Sequence, residues 1–414
     1  MNKKRSLMFT LVRGTAAILI ALLVATVLIF ISAEGATFGA KIAQTGSALR
    51  QLLIGPAFRN NGTVSVKNLT DVLAAMIPII FTGLATCVMF SANQFNLGAE
   101  GGIMLGAFVS ALVAVYFPLP GALLPIAAVL LGGISVGIMM LIPAVLKAKL
   151  GVSEMVNSLM LNYAVMYFIK YLLNTHLADK TKGQIMTYEF QPNAAIPQLV
   201  DNGSKLSWGF VVALVAVVLC SLFMYRTRWG YATRMIGINQ QFSKYSGMNV
   251  AGIIILSQVL GGLLAGFGGG IEMLGRYTSF NWSALPGYGW TGITVAILAG
   301  NNPIYVPLAA FFISYLNKGC SLMSTYSGVP SQLIDILQAV IFLFFAAKQF
   351  LARYRQRLVV KSTEEELKLA AAAAAAEEGG AKKYVKTDPY PRFLLLHPAD
   401  LGAYSVCHAG RRGG

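Results

Sequence analysis

The chain has 414 residues, of which 56% are hydrophobic and only 12% are charged. A soluble globular domain carries about 25% charged residues, so this composition excludes a purely soluble protein. The formal net charge is +16, but the basic residues lie between apolar runs and at the ends of the chain. That placement is typical of a membrane protein, and no motif for reading nucleic acid accompanies it, so we expect no nucleic-acid partner.

Apolar runs predict the membrane topology, because a helix needs about 20 apolar residues to cross the hydrocarbon. The sequence predicts an all-α polytopic membrane protein with about ten transmembrane helices. The predicted spans are residues 14–33, 71–90, 97–117, 121–146, 153–173, 208–225, 251–272, 288–300, 303–324 and 330–347. The segment 288–300 is short and rich in glycine, which is typical of a broken or re-entrant helix.

The distribution of basic residues predicts the orientation. A basic N-terminus in the cytoplasm and ten crossings place the basic clusters at 147–149, 226–244 and 353–357 on the cytoplasmic side. The C-terminus is then cytoplasmic too. The loop 34–70 carries four basic residues on the outside, against the rule. We expect residues 1–347 to form one transmembrane domain and residues 348–414 to form a basic, Ala-rich cytoplasmic tail, partly helical and partly disordered.

Polar residues cluster between the second and third predicted spans. Asn93, Asn96 and Glu100 lie in the sequence SANQFNLGAEGG, at 91–102. A carboxylate at membrane depth is unfavourable and is a functional hypothesis by default. The alternative is a solvated cytoplasmic turn, with Glu100 near the start of a helix. We take the three residues as candidates for the substrate pathway, and the sequence leaves both interpretations open.

A second polar pattern opens the fifth predicted span. Glu154, Ser158 and Asn162 are four residues apart, so they share one helical face. Such a face points at other helices or at a water-filled path. Interhelical hydrogen bonding explains the pattern equally well. Asn162 is the candidate pathway residue of this face.

Small and aromatic residues mark the segment 256–292. Gly262, Gly266 and Gly270 follow a spacing of four that allows close helix packing. Glu272 and Arg276 are placed to form a pair one helical turn apart. Five aromatic residues follow, as an interfacial belt or as a platform for a sugar or a base: Tyr277, Phe280, Trp282, Tyr288 and Trp290. Trp282 and Tyr288 are further candidates for the pathway.

The basic segment 226–250 links two predicted spans on the cytoplasmic side. It contains Gly230, Gly237 and Gly247 and is long enough for a short helix. We expect Gly230 and Gly237 to permit tight turns on either side of that helix. The segment is either a topological connector or a docking element for another protein.

Catalytic and metal-binding motifs are missing from the sequence. It contains no GxxxxGK[ST], GxSxG or HExxH motif and no paired His and Cys cluster. We therefore expect no enzymatic activity, metal or cofactor in this chain. If transport is active, its energy comes from another chain or from an ion gradient.

Four segments resemble the permease family of ABC importers that includes ribose-type and purine-nucleoside-type systems, and they follow one another along the chain in the family's order. FNLGAEG at 95–101 is similar to the signature of the nucleoside branch, and SEMVNSLMLNY at 153–163 and GYGWTGITVAILAGNNP at 287–303 resemble two further family segments. The resemblance covers roughly residues 70–347. The loop 226–250 matches the family pattern at Thr227, Gly230, Arg234, Gly237, Asn239 and Gly247. It departs at Met235, Phe242 and Ser243, where small residues are usual.

The resemblance implies a function and a set of partners. The chain would be one transmembrane permease subunit that moves nucleosides or related sugar-containing solutes across a bacterial inner membrane. The six matching loop residues would couple it to an ATP-binding subunit that holds ATP and Mg. A second, different permease and an extracytoplasmic solute-binding lipoprotein would complete the importer in the lipid bilayer. The alternatives are an ion-coupled secondary transporter, for which no inverted repeat is evident, and an intramembrane enzyme.

Overall fold

The computed structural model describes residues 38–59, 62–200 and 203–327, together with residues 23–24, 26–27, 29–31, 336 and 339. In these ranges every regular element is helical, apart from the isolated β-bridges Phe58–Val64 and Gln198–Ser207. The prediction of an all-α fold is therefore confirmed for the described residues. Most of the predicted spans 14–33 and 330–347, both termini and the tail 348–414 lie outside them.

Eleven α-helices follow one another in the described ranges. They are α1 (Phe38–Leu53), α2 (Val66–Ser91), α3 (Ala99–Tyr116), α4 (Leu123–Leu150), α5 (Glu154–Leu172), α6 (Gly209–Arg226), α7 (Arg228–Ile238), α8 (Gln240–Tyr245), α9 (Val250–Arg276), α10 (Tyr288–Leu298) and α11 (Val306–Ser327). A π-turn at Leu173–Leu177 and 3₁₀ turns at Pro192–Ala194 and Pro303–Tyr305 supplement them.

Five of these helices, α2, α3, α4, α6 and α9, are long and apolar enough to cross a membrane. The bent pair α10–α11 makes a sixth if it counts as one span. Helix α5 carries the polar face noted above and is less apolar than these five. The structure thus shows a multi-pass helical membrane protein, and the count of ten spans stays a prediction.

The segment predicted at 288–300 does not cross the membrane by itself. Helix α10 has 11 residues, about 16 Å of helix, which is roughly half of a hydrocarbon core of about 30 Å. It joins α11 through a bend of 115°. The expectation of a broken or re-entrant piece is therefore confirmed, and we call α10 the half-helix.

Helix α9 lies at the centre of the bundle, against α2, α3 and α4. Its spaced glycines explain the close approach. A Cβ at Gly262 would lie 2.6 Å from Cγ of Met140, and one at Gly266 would lie 2.8 Å from the carbonyl oxygen of Gly132. A Cβ at Gly270 would meet the hydroxyl of Ser110. The predicted small-residue packing is therefore present in the structure.

The bundle has two distinct ends. At the first, which we call the basic end, α7 packs against the C-terminal residues of α2 and α6. At the opposite end, which we call the loop end, the segment 178–191 pairs with 278–280 through hydrogen bonds from Thr187 N to Phe280 O (3.0 Å) and from Phe190 N to Thr278 O (2.9 Å).

Helix α1 was not predicted from the sequence, and it lies in the segment 34–70, which was expected to be a loop. It packs against α11, where the hydroxyl of Tyr315 donates to the carbonyl oxygen of Leu53 at 2.6 Å. Only Thr45, Ala48 and Leu52 of this helix are buried. Its apolar stripe is therefore too narrow for the rule that finds membrane spans.

Candidate functional site

The chain is not helical between α2 and α3, and the polar face of α5 supplies partners for its backbone there. Ser158 Oγ accepts from Leu97 N at 2.9 Å, and Glu154 Oε1 accepts from Phe95 N at 3.0 Å. Asn162 Oδ1 accepts from Gly101 N (2.9 Å), while its Nδ2 donates to Leu97 O (3.0 Å). Unpaired backbone groups are unfavourable in a membrane, so this face makes the break possible.

Asn96 holds the same break against α9. Its Nδ2 donates to Oε1 of Gln258 at 2.8 Å, and its Oδ1 accepts from Gly98 N at 2.7 Å. Both side chains are fully buried. Gln258 lies about eight residues, or about 12 Å, from the start of α9, so the contact is well inside the bundle. Sequence reasoning missed Gln258, although an amide in an otherwise apolar span is itself a signal.

Glu100 belongs to the first turn of α3, and its side chain contacts the N-terminus of the half-helix. Its Oε1 accepts from Gly287 N at 2.5 Å, and its Oε2 accepts from Gly289 N at 2.6 Å and from Trp290 N at 3.3 Å. The side chain is 1% exposed. A carboxylate at this place satisfies N–H groups that a helix leaves unpaired and complements the positive end of its dipole. The interpretation of a solvated turn is therefore wrong for Glu100.

Glycines allow the half-helix to approach its neighbours. A Cβ at Gly289 would lie 2.5 Å from the backbone nitrogen of Glu100, and one at Gly292 would lie 2.6 Å from Cβ of Thr82. Thr82 Oγ1 also donates to the carbonyl oxygen of Tyr288 at 2.9 Å. Thr82 is about nine residues before the end of α2, so α10 begins about 13 Å inside the bundle.

A second carboxylate anchors the same helix from α9. Glu272 is 3% exposed, pairs with Arg276 at 3.2 Å, and accepts a hydrogen bond from the hydroxyl of Tyr288 at 3.2 Å. The predicted pair one turn apart is therefore present. Tyr288 joins it to α10, so buried carboxylates on two different helices position the first turn of the half-helix.

The aromatic residues before α10 pack into the bundle. Phe280 is fully buried and Trp282 is 9% exposed. The Trp282 ring lies 5.9 Å from Tyr277 and 6.2 Å from Tyr288, centroid to centroid. Phe280 and Trp282 therefore belong to the protein core and form neither an interfacial belt nor an open platform, whereas Trp290 remains 40% exposed.

A cavity of about 690 Å³ opens beside the half-helix, and we call it the α10 cavity. It lies among α2, α10, α11 and the break before α3. Its lining residues are Ala75, Ile79, Phe95, Leu97, Pro286, Gly287, Tyr288, Trp290, Thr291, Ile293, Thr294, Asn317 and Ala339. Sequence reasoning missed Thr291 and Thr294. Their spacing from Gly287, at one and two turns, was the available signal.

The predicted pathway residues therefore occupy different places. Tyr288 lines the cavity, Glu100 binds the backbone of its wall, and Asn96 and Asn162 hold the neighbouring break. The ring of Trp282 packs against the ring of Tyr288, and Trp282 is not among the residues that line the cavity. Asn93 is exposed at the basic end with a φ of 56°, and it does not line the cavity.

The predicted coupling loop forms the helices α7 and α8. Thr227 caps α7 by accepting from Gly230 N at 3.0 Å, and Asn239 caps α8 by accepting from Phe242 N at 3.0 Å. Gly247 has a φ of +80° and makes the turn that precedes α9. Arg234 is half-buried, with its guanidinium 4.9 Å from the centroid of the Tyr225 ring.

The expected role of two glycines in this loop is wrong. Gly230 and Gly237 lie inside α7 and make no turns. A Cβ at Gly237 would meet the carbonyl oxygen of Ser91, and one at Gly230 would meet the backbone of Phe223 and Met224. Their physical role is therefore close approach of α7 to the ends of α2 and α6.

Geometry thus defines a multi-pass helical protein with a broken helix beside a cavity, which is the architecture of a transporter. Residues 68–346 match the protein family described as "Branched-chain amino acid transport system / permease component". The chain belongs to this family, and it is a membrane-spanning permease subunit of an ABC importer.

Three curated relatives show the range of the similarity. The glucose ABC transporter permease protein of Haloferax volcanii is 35% identical over 300 residues, covering 69% of this chain and 78% of the relative. The nucleoside ABC transporter permease protein NupB of Lactococcus lactis is 32% identical, with 69% and 80% covered. The guanosine ABC transporter permease protein NupP of Bacillus subtilis is 34% identical, with 67% and 80% covered. No solved structure matches this chain.

Proposed function

We propose that this permease moves nucleosides or related sugar-containing solutes across a bacterial inner membrane. The observation that carries the proposal is the α10 cavity, which is walled by a half-helix whose N-terminus is held inside the bundle by Glu100. Non-helical backbone at membrane depth is tolerated where protein buries it or where it lines a cavity. Transporters use such broken helices to build solute sites. The nucleoside and glucose relatives agree with this class of solute.

The energy for transport comes from a separate ATP-binding subunit that holds ATP and Mg, and this chain hydrolyses no ATP. The helices α7 and α8 offer that subunit a docking surface. Large apolar side chains are exposed on them, namely Trp229, Tyr231, Ile238, Phe242 and Tyr245. An exposed apolar patch rimmed by polar groups marks an interaction site. The basic end therefore faces the cytoplasm in this proposal.

The rest of the assembly follows from the same proposal. A second, different permease completes the translocation path, and an extracytoplasmic lipoprotein delivers the solute. Residues 1–347 form the transmembrane permease domain, and residues 348–414 form a cytoplasmic tail. Binding or hydrolysis of ATP shifts the importer between outward-open and inward-open states only through contacts that differ between the two states.

Uptake in the native host tests the solute and the energy source. We expect deletion of the gene to abolish ATP-dependent uptake of a labelled purine nucleoside and the intact gene to restore it. Uptake of labelled glucose and of labelled ribose is measured in the same cells, so that the related solutes can be compared. Uptake that persists after ATP depletion and collapses with the ion gradient would instead establish an ion-coupled transporter.

Charge reversal tests the docking surface. We expect Arg234→Glu to reduce co-purification of the ATP-binding subunit. The complex that still forms should dissociate at a lower salt concentration than the complex of the unaltered protein. The matched control is Arg59→Glu, the same charge reversal at an exposed residue that precedes α2, whereas α7 packs at the other end of that helix. If Arg234→Glu retains the subunit at all salt concentrations, the coupling surface lies elsewhere.

A further inference from the structure

The described residues that line the α10 cavity include aromatic side chains and carry no charge. Phe95 and Trp290 offer partly exposed rings, and no Lys, Arg, Asp or Glu appears in the described lining. An anion that leaves water needs a cation or a group of N–H donors to replace its hydration. Rings, by contrast, suit a planar base or the apolar face of a sugar.

The threonine hydroxyls of the half-helix add a second restriction. Thr291 Oγ1 donates to Gly287 O at 3.0 Å, and Thr294 Oγ1 donates to Trp290 O at 3.2 Å. Since each hydroxyl has one proton, both present acceptor lone pairs to the cavity. They therefore favour solute hydroxyl or amino groups, which donate, over phosphate or carboxylate oxygens, which only accept.

The usual anion site of such an architecture is already occupied by the protein. The N-terminus of a helix ordinarily binds anions through its free N–H groups, and half-helices in transporters point these at anionic substrates. Here the N–H groups of Gly287, Gly289 and Trp290 are directed at Glu100. All of these bonds are accepted by the carboxyl group, which suits its ionised form. Its negative charge lies behind the cavity wall, in a region of low dielectric constant.

We propose that the α10 cavity is a solute-binding site that selects uncharged, ring-containing solutes with hydroxyl or amino donors, and that Glu100 determines this selectivity. The carboxylate fills the anion site and repels a second anion. Nucleosides and free sugars fit the cavity, whereas nucleotides, sugar phosphates and amino acid carboxylates are excluded. The physiological meaning of the site depends on the proposed function, but its charge preference is a property of this chain alone.

Thiol labelling measures that preference without any partner subunit. In the full-length chain with Cys407→Ser, the three remaining cysteines, Cys87, Cys220 and Cys320, are buried. Thr294→Cys then places a reactive thiol in the cavity. Its labelling rates are compared for two methanethiosulfonates of similar size, one carrying trimethylammonium and the other sulfonate. Ser47→Cys, exposed on α1, corrects for the different intrinsic rates of the reagents.

We expect the corrected ratio of cationic to anionic labelling to be about tenfold at Thr294→Cys, as one charge roughly 10 Å away at an intermediate dielectric constant would produce. Glu100→Gln should bring the ratio to within about twofold of the control. Glu100→Asp keeps the charge and should keep the ratio, which separates charge from folding. If the labelling ratio is the same whether position 100 carries Glu, Gln or Asp, Glu100 does not determine the charge preference.

Protection from labelling tests the class of solute. We expect guanosine to slow labelling of Thr294→Cys by severalfold and guanosine 5′-monophosphate at the same concentration to have no effect. Equal protection by the monophosphate would overturn the selectivity. If neither compound protects, the cavity is not the solute site, although nucleoside uptake by the cells would still support the proposed function.

Discussion

The helices of the basic end and the half-helix differ in the residues that cap their N-termini. At the basic end, Thr227 and Asn239 cap α7 and α8 through neutral side chains three residues away from their partners. The half-helix is capped by Glu100, a charged residue that is 187 positions away from Gly287 in the chain. Exposed helix ends therefore rely on local caps, because water satisfies the remaining groups, whereas the end inside the bundle needs a distant and stronger partner.

The largest effect expected from this comparison is that of Glu100→Ala. The substitution leaves the N–H groups of Gly287, Gly289 and Trp290 without their acceptor inside the bundle. We expect the free energy of unfolding to fall by about 3–5 kcal/mol, because each orphaned donor costs about 1–3 kcal/mol. Thermal unfolding in detergent measures it. Glu189→Ala, in an exposed ion pair with Lys182, is the control and should leave the transition unchanged. If the two variants unfold at the same temperature, Glu100 does not stabilise the protein by capping the half-helix.

Asn162→Ala should have the next largest effect. It removes the partners of Leu97 O and Gly101 N at the break before α3. We expect a loss of about 2–4 kcal/mol and reduced solute uptake, since two buried backbone groups lose their hydrogen bonds. Asn157→Ala on the same helix is the matched control, because the Asn157 amide nitrogen has no hydrogen-bond partner in the described structure. A variant of Asn162 as stable as that of Asn157 would show that the break needs no such support.

Gly237→Leu tests the close approach at the basic end. A side chain there meets the carbonyl oxygen of Ser91 and must displace α7. We expect a loss of about 1–3 kcal/mol, as for other overpacked sites. Uptake should be lost while membrane insertion is retained. Gly46→Leu on α1 is the control, because a Cβ at Gly46 has no neighbour within 4 Å. Normal uptake by the Gly237 variant would show that the position of α7 does not matter for coupling.

The smallest effect is expected for a local cap. Asn239→Ala removes the acceptor of Phe242 N, and Asn239→Asp keeps one. We expect a local loss of about 1 kcal/mol, so the amide of Phe242 should exchange its hydrogen about fivefold faster in the alanine variant alone. The thermal transition of the whole protein should not move. A shift as large as that of Glu100→Ala would remove the distinction between local and remote caps.

Features that depend on neighbours along the chain could be predicted from the amino-acid sequence. Apolar runs predicted where α2, α3, α4, α6 and α9 lie, because the burial of apolar surface in lipid depends on composition alone. The spacing of Glu154, Ser158 and Asn162 predicted their common face, and the glycines of α9 predicted its close packing. The short, glycine-rich segment 288–300 predicted the broken helix. Four motifs in order also carried the resemblance to the permease family, which the family match confirms.

Which polar groups form hydrogen bonds with each other depends on how the helices pack, and the sequence did not predict these pairs. The sequence placed Glu100 near the start of a helix, but its partners at Gly287 and Gly289 belong to a different helix. Likewise, Asn96 meets Gln258, and Thr82 meets the backbone of Tyr288. A buried polar group must find a partner, yet many partners of equal chemistry are available along the chain. The packing of α9 and α10 against α2 and α3 selects among them, and no local pattern records that choice.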